Sequence, residues 1–254
     1  MDRLPGWMEQ FNKTHRTQPH YNIKTSSEGV TMTFDLAEAL VENEQLGQDD
    51  ITDLLAISVS STDAIGHDYG TRGEENHSVY MQLDKDLSRF LALLDQKVGR
   101  GQYLLFLTAD HGALHAPRFL KEHKLPNGGW NNGEARRLLN AELSKTFGSD
   151  QLVRAIMDCR VYLNHDEIAA RGLDIDAIKD KAVRWLRQDK DLAYVADYDR
   201  LSEASIPDLI KQRAINGYNR HRTGDIFIQV RAGLLNYAFK EGFKGTSHGQ
   251  WNTY

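Results

Sequence analysis

An α/β fold is predicted by two short apolar runs and by the helical pattern between them. The runs cover residues 54–59 and 103–109 and are apolar almost throughout, which is typical of parallel strands covered on both faces. Between them, apolar residues recur at helical spacing from Val79 to Leu94, and the stop at Gly99 predicts an amphipathic helix of about five turns. Strand, helix and strand in this order indicate a right-handed βαβ unit. We therefore expect a mostly parallel sheet flanked by helices.

The other elements follow from the same periodicities. Upstream, apolar residues from Met32 to Leu40 recur at helical spacing and the pattern stops at Gly47, so a helix is expected to precede the first strand. Downstream, the sequence predicts helices over 133–147 and 175–188, strands over 160–163, 193–196 and 225–230, and a loop over 117–132. We expect one domain over residues 1–254, with an inserted subdomain at about 133–217.

Composition excludes several classes of protein. The chain has 31 Lys and Arg against 36 Asp and Glu, a net charge of -5, and no long run of either sign, so neither nucleic acid nor an anionic membrane is an expected partner. Cys159 is the single cysteine, which excludes an internal disulfide and a thiolate metal cluster. No stretch approaches the roughly 18 apolar residues that cross a bilayer, and the first residues lack the apolar core of a signal peptide.

Five side chains of the metal-binding type lie in three glycine-marked segments. They are Asp63, His67, Asp110, His111 and His248. Carboxylate and imidazole are the ligands of zinc in hydrolytic centres, and the first two segments come where an apolar run ends, which is where strands deliver active-site residues. Together they indicate a divided two-metal site.

Each segment also has a simpler explanation. Asp63 and His67 could chelate one ion if Gly66 allows a tight turn, or Asp63 could cap a helix and leave His67 on the surface. Asp110 and His111 would point to opposite faces of an extended strand, so only a turn, eased by the following glycine, brings both to one centre. His248 alone would be a solvated loop histidine, and it counts as a candidate only in the company of the other four.

These segments together resemble the alkaline phosphatase superfamily. The resemblance runs from about Thr31 to the last residue and includes residues 58–70, the helix with Asp84 and Asp86, and residues 106–112, 222–225 and 245–249. It is closest to the bacterial phosphate-irrepressible alkaline phosphatases, which are also similar to the type I phosphodiesterase and nucleotide pyrophosphatase branch. The resemblance implies an alkaline-phosphatase-like fold and a periplasmic or secreted hydrolase of small phosphate monoesters.

The resemblance also implies two zinc ions and a threonine that forms a phosphoenzyme. By position, Asp63, His67 and His248 match the ligands of one zinc ion, and Asp110 and His111 match two ligands of the other. The threonine nucleophile, the remaining zinc aspartate and the Lys and Arg pair that contacts phosphate have no match, since no early threonine follows an apolar strand ending in Asp. We therefore identify no catalytic residue and expect a fragment, incomplete at both ends of the sheet and inactive by itself.

Two alternatives remain open. The same zinc ligands serve a phosphodiesterase or nucleotide pyrophosphatase, and the residues that separate it from a monoesterase lie in the unmatched part. A non-catalytic metal-binding remnant would explain the missing nucleophile. A purely structural interaction domain would leave the clustering of five metal-type donors at loop ends unexplained.

Overall fold

The computed structural model describes residues 23–250, which form two compact units. Within that range, residues 23–116 and Lys244–Ser247 make up the first unit. Residues 117–243 and 248–250 make up the second unit. In this described range no helix is long and apolar enough to span a bilayer.

Three helices form the core of the first unit. They are α1 (Glu28–Asn43), α2 (Ser61–Tyr69) and α3 (Glu74–Leu94), and α3 continues into a π-helical turn over Asp95–Gly99. Phe34 of α1 packs against Phe90 of α3 with the ring centroids 5.7 Å apart and the rings edge to face, a favourable aromatic geometry. The helix predicted from the pattern between Met32 and Leu40 and the helix predicted over 79–94 are therefore confirmed.

The burial of α1 differs from the prediction. Phe34, Ala37 and Val41 are buried, whereas Met32 and Leu36 of the predicted pattern are 40% and 64% exposed. Both sets recur at helical spacing, and the neighbouring helix α3, not the period, decides which set is covered.

The two predicted strands of the first unit are not formed. Neither residues 54–59 nor residues 103–109 belong to a strand, and Leu54 and Leu104 are 86% and 87% exposed. A central strand needs hydrogen-bonding neighbours, and no strand within residues 23–250 pairs with either segment. The predicted strands, covered on both faces, are therefore wrong for the part of the chain that the structure describes.

The second unit contains the strands and the larger core. Its helices are α4 (Pro117–Glu122), α5 (Asn132–Phe147), α6 (His165–Ala170), α7 (Ile175–Leu186) and α8 (Asp208–Asn216), with a 3-10 turn over Tyr198–Glu203. Its strands are β1 (Gly128–Gly129), β2 (Val153–Met157), β3 (Arg160–Leu163), β4 (Leu192–Asp197), β5 (Ile226–Val230) and β6 (Leu234–Leu235). Strands β2, β3, β5 and β4 form an antiparallel sheet in that order, and β1 pairs in parallel with β6.

Apolar side chains of α5 and α7 cover this sheet. Leu139, Ile178 and Leu186 from the two helices and Val161 and Ile226 from the sheet are all fully buried in one cluster. The helix starts are capped as their sequences indicate, since the side chains of Asn131 and Asp174 accept backbone N–H groups at the starts of α5 and α7.

Most elements predicted for this region are confirmed, with shifts of a few residues at their ends. The loop predicted over 117–132 is wrong in part, because α4 and β1 lie within it. Strands β2 and β6 and helices α6 and α8 were not predicted. Strand β2 belongs to a tight hairpin with β3, whose turn residues Asp158 and Cys159 have φ values of 49° and 60°, a conformation that the residue types there do not signal strongly.

Candidate metal centre

Helix α2 brings Asp63 and His67 onto one face. They are four residues apart in a regular helix, and the Nε2 atom of His67 lies 3.4 Å from Oδ2 of Asp63. Residues at this spacing are neighbours on a helix surface. The tight turn expected at Gly66 is therefore wrong, because the helical period and not the glycine aligns the two side chains.

The second predicted pair approaches the same carboxylate. The Nε2 atom of His111 lies 3.9 Å from Oδ1 of Asp63 and 3.5 Å from Oδ2 of Asp110, and the Asp110 side chain is 88% exposed. The backbone N–H of His111 also donates to Oδ1 of Asp110 at 3.1 Å. The carboxylate of Asp63 thus has a different histidine at each oxygen, and four of the five candidate residues come together within the first unit.

Backbone carbonyls orient both imidazole rings. Nδ1 of His67 lies 3.0 Å from the carbonyl oxygen of Thr246, and Nδ1 of His111 lies 3.0 Å from that of Gly112. A neutral imidazole that donates from Nδ1 presents the lone pair of Nε2. In that tautomer each Nε2 atom, which lies beside an oxygen of Asp63, is the ring atom that can bind a cation.

Hydrogen bonds of Thr246 and Ser247 fix the backbone carbonyl group that orients His67. The Thr246 hydroxyl donates to the carbonyl of Leu114, the N–H of Leu114 donates to Ser247 at 2.9 Å, and the N–H of Thr246 donates to Gly66 at 3.2 Å. Thr246 is 1% exposed. His248 is the next residue but one along the chain and belongs to the second unit. Sequence analysis missed the role of Thr246, since a carbonyl contact leaves no signature in residue type.

A second acidic cluster lies in the second unit, and the ammonium group of a lysine lies among its carboxylates. Asp176, Asp197 and Asp199 lie around Nζ of Lys179, which is 3.0 Å from Asp176 and 3.3 Å from Asp197. Burial alone would lower the pKa of Lys179, but the hydrogen bonds and charges of these carboxylates outweigh it and raise the pKa above its usual value. The ammonium offsets one of the three negative charges and occupies the position between the carboxylates, so we describe them as an ion-pair network and not as a candidate metal site.

Comparison with known proteins places the chain in a family. The model of the type I phosphodiesterase / nucleotide pyrophosphatase family matches residues 3–251. Alkaline phosphatase PafA of Elizabethkingia meningoseptica is 40% identical over 232 residues, which cover 91% of this chain and 42% of that protein. A protein of Myroides odoratus named as a calcium-transporting ATPase is 37% identical over 255 residues, covering 100% of this chain and 46% of that protein.

A solved structure gives the same result for the fold. The crystal structure of wild-type alkaline phosphatase PafA matches with a TM-score of 0.84 at 40% identity, over 91% of this chain and 44% of that chain. The predicted alkaline-phosphatase-like α/β fold is thereby confirmed, and this chain spans less than half the length of the relatives that it matches. The chain belongs to the type I phosphodiesterase and nucleotide pyrophosphatase family, within the alkaline phosphatase superfamily.

Proposed function

We propose that this chain supplies the zinc-binding part of a phosphoric ester hydrolase that acts on small phosphate monoesters. The observation that carries the proposal is the carboxylate of Asp63, which has the Nε2 atoms of His67 and His111 at 3.4 and 3.9 Å on its two oxygens. Both rings are held by backbone carbonyls through Nδ1, the arrangement expected of metal-binding histidines. The family membership and the alkaline phosphatases among the relatives support the reaction class.

We assign two Zn²⁺ ions to these residues. Asp63, His67 and His248 are proposed to hold one ion, and Asp110 and His111 to contribute to the other. Two zinc ions in such a site stabilise the charge on the attacking and leaving oxygens of an in-line displacement at phosphorus. The carbonyl groups of Thr246 and Gly112 would hold the two imidazoles with Nε2 available to an ion, and the exposed carboxylate of Asp110 would be accessible to a cation.

The nucleophile is proposed to be a threonine outside this chain, which forms a phosphoenzyme. By this proposal the 254-residue chain has no turnover of its own, and it is part of a larger alkaline-phosphatase-like domain in which residues 133–217 are an inserted subdomain. We further propose that the whole protein works in the periplasm or is secreted, as the resemblance implies. A phosphodiesterase and a metal-binding remnant remain the competing functions, because Asp63, His67 and His111 would serve each of them equally.

Zinc stoichiometry of the purified chain tests the metal assignment. We expect about one or two zinc ions per chain by elemental analysis, as a two-metal site requires, and a loss of zinc in His67→Ala and in His111→Ala. His77→Ala is the matched control, because His77 is an exposed histidine of the same unit, and it should keep the wild-type zinc content. A wild-type chain without zinc, or variants that retain it, would contradict the assignment.

Turnover of p-nitrophenyl phosphate on the same samples tests the proposal that this chain binds the metal ions and that the nucleophile lies outside it. We expect none above the His111→Ala background, because the proposal places the nucleophile outside this chain. Turnover that depends on His111 would show that the chain carries its own nucleophile. In that event, comparison with bis-p-nitrophenyl phosphate would separate a monoesterase from a phosphodiesterase.

A further inference from the structure

The antiparallel sheet of the second unit has two faces that are covered differently. Side chains of α5 and α7 cover one face, where alternate residues of β5 belong to the same buried cluster. On the other face, the 3-10 turn and α8 cover the part around Phe227. Side chains alternate between the faces along a strand, so Gln229 and its cross-strand partner Tyr194 also lie on this second face. Beside them is a cavity of about 500 Å³ that both residues line.

Gln229 contributes a mostly buried amide group to this cavity. The residue is 7% exposed, and the other four residues of β5 are apolar and buried. Its Nε2 atom donates to the carbonyl oxygen of Val230 at 3.3 Å, whereas its Oε1 atom accepts no hydrogen bond from any residue in the range 23–250. Leaving such an oxygen without a donor costs free energy. A ligand with an N–H group in the cavity would satisfy it.

Two opposite charges line the same cavity without pairing with each other. They are the side chains of Arg231 and Asp191. Arg231 is anchored through its backbone N–H, which donates to the carbonyl of Asp191 at 2.9 Å, and through Nε, which donates to the carbonyl of Lys190. Among the described residues, neither the Nη atoms of Arg231 nor the carboxylate of Asp191 has a hydrogen-bond or ion-pair partner. Each charge is therefore available to a group of opposite charge on a ligand.

The other walls of the cavity are mainly apolar. Pro126, Ala232 and Leu234 line it together with Tyr194. Small-molecule sites are typically apolar clefts of about 300 to 1,000 Å³ with a few polar groups that orient the ligand, and the cavity has this size and composition. A phosphate ester matches it poorly, because the carboxylate of Asp191 would repel a second negative charge.

We propose that this cavity binds a small zwitterion with an apolar side chain, of the amino acid or dipeptide class. Arg231 binds its carboxylate, and the carboxylate of Asp191 and Oε1 of Gln229 accept hydrogen bonds from its ammonium group. An ammonium group has three donors, so it satisfies both acceptors at once. The apolar side chain packs against Tyr194 and Leu234. All of these groups belong to the second unit, so the proposal does not depend on the metal assignment or on the proposed reaction.

A titration followed by ¹H–¹⁵N NMR of the full 254-residue chain tests the proposal, with L-phenylalanine and L-leucyl-L-phenylalanine as probes. We expect saturable shifts of the amides in residues 191–194 and 229–232. N-acetyl-L-phenylalanine lacks the ammonium group and L-phenylalanine amide lacks the carboxylate. Each should bind about tenfold more weakly than L-phenylalanine, because one charge-assisted hydrogen bond is lost. No binding of either zwitterion, shifts confined to other residues, or equal affinity for the single-charge analogues would overturn the proposal.

Variants of the lining residues make the test specific. Asp191→Asn keeps the shape of a side chain that makes no contact of its own, so the chain should fold as before. Gln229→Met keeps the length of the side chain and removes its acceptor. Each should weaken binding of the better zwitterion about tenfold. Asp150→Asn is the matched control, because Asp150 is an exposed aspartate of the same unit outside the cavity lining, and it should bind like the wild type. Wild-type affinity in Asp191→Asn would overturn the proposal, whatever the stability of Gln229→Met.

Discussion

The two units of this chain differ in how their apolar side chains are covered. Among the described residues, twelve large apolar side chains of the first unit are exposed, against five in the second unit, although the first unit is the shorter. The second unit has an antiparallel sheet whose core strand β5 is buried along its whole length. The first unit packs three helices together, and within residues 23–250 its segments 54–58 and 103–109 have no backbone partner strand. Apolar content alone therefore does not make a core, because strands also need backbone partners.

The largest expected difference between the units is in amide hydrogen exchange of the whole chain. Amides of β4 and β5 are paired and buried, so they should exchange on the order of 10³-fold or more slowly relative to their intrinsic rates, as core amides of stable domains do. Amides of residues 54–58 and 103–109 should exchange near their intrinsic rates. Strong protection of these segments in the isolated chain would remove the contrast between the units.

A matched pair of leucines tests the same contrast by stability. Leu139→Ala removes a fully buried side chain of α5 and should lower the free energy of unfolding of the second unit by about 3 kcal/mol. Leu104→Ala removes an 87% exposed side chain and should change stability by less than about 0.5 kcal/mol. Urea denaturation followed by circular dichroism measures both, and a large loss for Leu104→Ala would show that residue 104 is covered in the isolated chain.

Substitution of the buried Lys179 in the second unit is expected to lower the free energy of unfolding by less than Leu139→Ala does. Lys179→Met leaves the carboxylates of Asp197 and Asp199 without their cation and should destabilise this unit by about 2 kcal/mol, below the full range for breaking a buried pair because Asp199 is exposed. Lys145→Met removes an exposed ion pair with Glu142 and should cost less than about 1 kcal/mol. An equal loss of stability in both variants would show that the effect comes from removing any positive charge and not from the buried position of Lys179.

The pH dependence of the lysine effect follows from the direction of its pKa shift. The folded-state pKa of Lys179 is raised above its ordinary value, so its stabilising contribution is fully present below the unfolded-state pKa. It is lost only as pH rises through the folded-state pKa. The difference in unfolding free energy between wild type and Lys179→Met should therefore be constant from pH 7 to 9, and a difference that shrinks within that range would contradict the raised pKa.

Two glycines of the first unit should respond in opposite directions. Gly70→Ala places a Cβ 2.8 Å from the carbonyl oxygen of Lys244 at a φ of 83° and should cost about 1 kcal/mol or more. Gly66→Ala adds a Cβ with no other atom within 4 Å inside α2 and should stabilise by about 0.5 to 1 kcal/mol. Thermal melting of both variants checks this. A destabilised Gly66→Ala would support the tight turn predicted from the sequence at Gly66 over the helix seen in the structure.

The sequence by itself determined the fold class, helices α1, α3, α5 and α7, strands β3, β4 and β5 of the second unit, and the residue types of the candidate metal centre. Apolar periodicity and capping residues are local, so α3, α5 and α7 could be read from neighbouring residues alone. Asp63, His67, Asp110 and His111 were found because their chemistry is unusual at the ends of apolar runs.

Only the tertiary structure decided which of these local patterns found a partner. It selected Phe34 over Leu36 as the buried face of α1, placed Asp63 and His67 on a helix, and brought His111 to the same carboxylate. It also left residues 54–58 and 103–109 without backbone partners within residues 23–250. A periodic pattern predicts which side chains form an apolar face. Which element packs against that face depends on contacts between residues far apart in the chain.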